Sequence, residues 1–105
     1  MNTEKRKSDA RRLLESMTGG RLRLGDLLVS IRLGEGISQA EVARELGVSR
    51  AHLCDIEKGR KTLSPARAAE FARILGYGEA QFVRLALQEQ LEQAGLDFKV
   101  HIEAA

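Results

Sequence analysis

Residues 50–61, RAHLCDIEKGRK, hold the densest group of side chains able to do chemistry. Arg50, Lys58, Arg60 and Lys61 offer cations to a polyanion, while His52, Asp55 and Arg50 offer donors and acceptors to a patterned polar surface. Nucleophilic or metal chemistry has less to stand on. His52 and Cys54 lie two apart, so on a helix they do not face each other. Two histidines and one cysteine in the whole chain are too few and too scattered for a structural zinc site. Gly34-Glu35-Gly36 lacks the length and the strand–helix setting of a phosphate loop, and the carboxylates are dispersed. The sequence therefore predicts no enzyme, no metal and no cofactor. What remains is a recognition surface. At 3.6 residues per turn, Leu53 and Ile56 point one way, and Ala51, Cys54, Asp55 and Lys58 point the other, with Arg50 and His52 on the flanks.

Two short helices must position that surface. Ser38 is a good N-cap, Glu41 three residues later completes a capping box, and Ile37 with Val42 forms a hydrophobic staple. Val42, Ala43 and Leu46 make an inward stripe that ends at Gly47, the residue type that favours a left-handed helix end. Val48, Ser49 and Leu53 repeat the staple and cap, and Gly59 ends the second helix. Two capped helices so close in sequence must cross steeply, and Ala43 is small where the backbones need to approach. The pattern is a helix-turn-helix.

The stretch resembles the DNA-binding domain of the Cro/CI (phage repressor, xenobiotic-response-element) family. Gln39, Ala43, Gly47, the aliphatic residues at 42, 46, 48, 53 and 56, and Glu57-Lys58-Gly59 match its pattern, and the resemblance covers roughly residues 24–75. It implies a second helix lying in the major groove, where each base pair shows distinct donors and acceptors. Arg50, Ala51, His52 and Asp55 fall where family members touch bases. Arg50 suits a bidentate pair with guanine, and Ala51 suits a thymine methyl. Gln39 falls where the family contacts a phosphate from the start of its helix. Ser49, Lys58, Arg60 and Lys61 are expected to hold phosphates at the other end. The resemblance also implies a structural ion pair between Arg32 and Glu57, consistent with Glu57 lying near the inward side beside Leu53.

A chain of 105 residues suits one compact domain with a modest core. The N-terminus lacks an apolar signal segment, no stretch approaches a membrane span, and Cys54 cannot form an intrachain disulfide. A cytoplasmic protein that does not engage a membrane is expected. Net charge is only +2, but it is unevenly spread. Residues 1–23 carry seven Lys/Arg against three acids, residues 50–67 five against two, and residues 79–105 two against five. That asymmetry separates a polyanion-facing surface from a second surface.

In chain order, residues 1–23 form a basic segment, with Ala10, Leu13, Leu14 and Met17 predicting a short helix over 9–17. Residues 24–94 form the helix-turn-helix domain. It opens with a helix built on Leu24, Leu27, Leu28 and Ile31. After the motif comes a helix begun by Ser64-Pro65 and buried through Ala68, Phe71, Ala72 and Leu75, then one over about 79–93. The last helix carries two apolar sides, Phe82, Leu85 and Ala86 on one and Val83, Leu87, Leu91 and Ala94 on the other. Residues 95–105 alternate Phe98, Val100 and Ile102 with Lys99, His101 and Glu103, a strand pattern.

The expected fold is all-α, a five- or six-helix repressor-like domain with a short C-terminal β-strand. The expected dimer interface joins Leu87 and Leu91 with Phe98, Val100 and Ile102. The expected function is duplex DNA binding at a pseudo-palindromic operator by a homodimeric transcriptional repressor acting through occupancy. Two alternatives share the pattern: an antitoxin that holds a partner toxin and represses its own operon, and an interaction module that kept the fold without DNA binding.

Overall fold

The computed structural model describes residues 22–105, so the helix expected over 9–17 lies outside the described residues. Five helices follow in order: α1 Leu24–Glu35, α2 Gln39–Leu46, α3 Arg50–Glu57, α4 Pro65–Leu75 and α5 Glu79–Gln93. Local chemistry sets most of their ends. Ser38, Ser49 and Ser64 each stand in extended backbone, and their hydroxyls accept the amides of Glu41, His52 and Arg67 at 3.0–3.1 Å. Each satisfies an amide that a helix start leaves without an internal partner. Ser38 also donates to the Glu41 carboxylate at 3.3 Å. The turn between α2 and α3 depends on Gly47, whose φ of 71° is left-handed. With that residue reversed, the Val48 amide reaches the Ala43 carbonyl at 3.0 Å and the chain swings directly into α3.

The start of α1 is closed from a distance. Arg23 precedes it without a side-chain cap, and the Glu89 carboxylate of α5 accepts the Leu24 amide at 3.0 Å. The core gathers Leu24, Leu28, Val42, Leu46, Leu53, Phe71, Phe82 and Leu85, all essentially without solvent contact. Leu63, from the loop between α3 and α4, joins them at 4% exposure. α4 and α5 share the most extensive helix contact, while α3 rests against both α1 and α2. The expected second apolar side of α5 is only partly covered, since Val83, Leu87 and Leu91 are half-buried.

The expected C-terminal strand does not form: among the described residues there is no strand. From Leu96 to Ala105 the chain runs without turn or bend. A strand requires a ladder partner, and among the described residues no second extended segment lies beside the first. The Gln88 side chain of α5 stands in for one. Its amide nitrogen donates to the Phe98 carbonyl at 2.8 Å, and its oxygen accepts the Val100 amide at 2.8 Å. Val100 is half-buried, whereas Leu96, Phe98 and Ile102 remain exposed.

Candidate nucleic-acid interface

α3 presents its outer face to solvent because Leu53 and Ile56 anchor its inner face in the core. Arg50, Ala51 and Lys58 are exposed, and His52, Cys54 and Asp55 are half-exposed. Ser49 caps the helix through its oxygen, and its hydroxyl hydrogen is left to donate outward. Arg50 and Ala51 thus stand at the amino-terminal end of α3, with His52 and Asp55 following along the helix. Lys58, Arg60 and Lys61 cluster at its other end, all exposed.

A chain of polar contacts runs from this surface inward. Glu57 is buried, its side chain 4% exposed. Arg32 of α1 grips it with two bonds, Nε to Oε2 at 2.8 Å and Nη2 to Oε1 at 3.1 Å. Such a planar fork fixes both partners in one orientation. The bond to Glu57 raises the Arg32 pKa, so the guanidinium keeps its charge. Gln39 of α2 adds its amide nitrogen to Glu57 Oε1 at 3.0 Å. Its oxygen then accepts Arg50 Nε at 3.2 Å. One carboxylate therefore ties α1, α2 and α3 together, and the glutamine it holds in turn steers Arg50. Gln39 retains a second amide hydrogen, free to meet a phosphate oxygen.

The basic cluster from 50 to 67 divides on inspection. Arg60 pairs with Asp55 at 3.4 Å, both partly exposed, and Gly59 with a φ of 75° makes that return possible. The Arg60 and Lys61 amides also close on the Asp55 carbonyl at 2.8 and 3.2 Å. Arg67 belongs to the scaffold: it lies 4.9 Å from the Phe71 ring centre, bonds Glu70 at 2.9 Å and donates to the Leu46 carbonyl at 3.4 Å. Its sequence position beside the basic loop gives no hint of that packing role.

Gly25 is a second residue that sequence reasoning missed. A Cβ there would overlap the Ile56 and Glu57 carbonyl oxygens, so the first turn of α1 lies directly on the end of α3. A glycine just inside a helix start was the available signal. Nothing local announces the capping role of Glu89.

Among the described residues five helices, the second and third capped and joined through a left-handed glycine with the outer face of the third left open, define a helix-turn-helix protein. A family model described as a helix-turn-helix domain matches residues 23–85, more than half of the chain. The chain belongs to that family, which is consistent with the Cro/CI-type resemblance. No curated protein and no solved structure matches it. Among the described residues no helix is long and apolar enough to cross a membrane.

Proposed function

We propose that the protein is a sequence-specific, duplex-DNA-binding transcriptional regulator that acts as a homodimeric repressor by occupying its operator. The observation that carries the reading is the Arg32–Glu57–Gln39–Arg50 chain. It fixes the first residue of α3 and the first residue of α2 relative to each other on one surface. A rigid pairing of a base-reading cation with a phosphate-binding amide is what groove recognition requires, because phosphate contacts set register and base contacts set sequence. In this reading Arg50, Ala51, His52 and Asp55 address base edges. Gln39, Ser49, Lys58, Arg60 and Lys61 address phosphates, and Arg60 exchanges Asp55 for DNA on binding. The uneven charge, basic before residue 67 and acidic after residue 79, supports a DNA face and a separate protein face.

Selection from a random duplex pool followed by titration at several salt concentrations tests the reading. The expected result is an enriched sequence bound far more tightly than random duplex, with affinity falling steeply as salt rises. Binding that is absent, or equal for every duplex, overturns it.

A further inference from the structure

Among the described residues, the tail beyond Gly95 is held on one edge only. Gln88 binds the Phe98 carbonyl and the Val100 amide, both at 2.8 Å. In an extended chain these two groups point to the same side, flanking Lys99, as when an antiparallel neighbour faces a non-hydrogen-bonded residue. The amides and carbonyls of Asp97, Lys99 and His101 then point to the opposite side, and all three residues are exposed. That edge is an open template for another strand. The sequence along it is self-complementary about Phe98. Read antiparallel against itself, Asp97 meets Lys99, Leu96 meets Val100, and Phe98 meets its twin. Shifting the centre by one residue sets Lys99 against Lys99, which like-charge repulsion disfavours. The exposed side chains agree: Leu96, Phe98 and Ile102 are 46%, 66% and 38% exposed in the single chain.

We infer that the free edge of residues 96–100 pairs with the same segment of a second copy, in an antiparallel ribbon whose two-fold axis passes between the two Phe98 residues. Gln88 holds each tail in register before the copies meet. The inference rests on the dimeric part of the reading above and specifies its interface. An isolated two-stranded ribbon is marginal in water, and the half-buried Leu87 and Leu91 of α5 offer it an apolar backing.

Cross-linking of the full chain tests the register, with Cys54→Ser as background. Phe98→Cys places two thiols in a closely spaced pair, with Cα atoms about 4.5 Å apart, within disulfide reach. Lys99→Cys places them roughly 8–9 Å apart, beyond it. Mild oxidation is expected to give a covalent dimer with Phe98→Cys and none with Lys99→Cys alone, while Lys99→Cys mixed with Asp97→Cys gives a mixed dimer. Efficient cross-linking of Lys99→Cys alone overturns the register. Charge reversal gives a second measurement that leaves Phe98 in place. Asp97→Lys and Lys99→Asp are each expected to weaken dimerisation about tenfold in sedimentation equilibrium, and the double reversal to recover most of the loss. A chain that stays monomeric throughout, or a double reversal no better than either single one, overturns the pairing. Titration of a single half-site duplex keeps the outcomes separate. A monomer that still prefers that half-site preserves the DNA reading and rejects the ribbon; a correctly cross-linked dimer with no preference for any duplex does the reverse.

Discussion

At the scale of single residues, two side chains of like charge have different work. Arg50 is oriented by Gln39, whereas Lys61 stands exposed in a loop. Arg50→Ala is therefore expected to weaken the preferred duplex by about 1–3 kcal/mol and to relax preference at one base position. Lys61→Ala is expected to weaken all duplexes alike and to flatten the salt dependence by roughly one unit of slope. Binding curves on specific and random duplex across a salt series separate the two outcomes. Glu57 has the opposite character, buried and reaching Arg50 only through Gln39. Removing one side of a buried ion pair strands its partner, a loss of about 3–5 kcal/mol at full burial. Arg32 is 19% exposed, so a value near the lower end is expected for Glu57→Ala. Arg32→Ala should destabilise as well, and a double-mutant cycle by denaturant unfolding should show strong coupling. Additive losses would refute a shared interaction.

At the scale of elements, the position of α3 is set by α1 from one side and α2 from the other. Gly25 lets α1 lie directly on the α3 carbonyls of Ile56 and Glu57. Gly25→Ala gains helix propensity but forces that crossing apart, and overpacking of this kind costs about 1–3 kcal/mol. A fall in Tm is the expected result, and a rise would show that the crossing has slack. The start of α1 carries a pH signature. Burial pushes the Glu89 carboxyl above its ordinary value, outweighing the Leu24 amide and Arg23, which pull it down, while Glu92 and Asp26 add to the rise. The native state therefore keeps this proton over a window where the unfolded chain has lost it. Stability contributed by the protonated form is complete below the unfolded pKa and declines as pH rises through the folded one. Glu89→Gln keeps an acceptor for Leu24 and removes the titration. It is expected to gain on the wild type in thermal denaturation as pH climbs above the ordinary carboxylate range, with the two matching at the acid end.

At the scale of the whole molecule, the proposed DNA face and the tail use different parts of the chain. The motif residues sit on α2 and α3, while the tail lies along α5, and no tail residue belongs to the buried core. Truncation after Gly95 should therefore leave thermal stability nearly unchanged. The same truncation is expected to abolish dimerisation in sedimentation and to reduce affinity for a palindrome with half-sites about 34–36 Å apart, while sparing affinity for one half-site. A truncated protein that remains dimeric and grips the palindrome as tightly would remove the tail from the mechanism.

The sequence by itself determined the helices and the motif, because their signals are local. The serine caps at 38, 49 and 64, the left-handed Gly47 and the inward stripes act within a few residues of where they stand. The α5 limits at Glu79 and Gln93 agree with its periodicity for the same reason. Tertiary structure decided what depends on distant neighbours. It placed Leu63 in the core, brought Glu89 to the start of α1, turned Arg67 onto Phe71, and linked Arg50 to Glu57 through Gln39. It also kept residues 95–105 from becoming a strand. Alternation of side chains gives an extended segment its two faces, but ladder hydrogen bonds need a second backbone. Among the described residues the Gln88 amide is what supplies them.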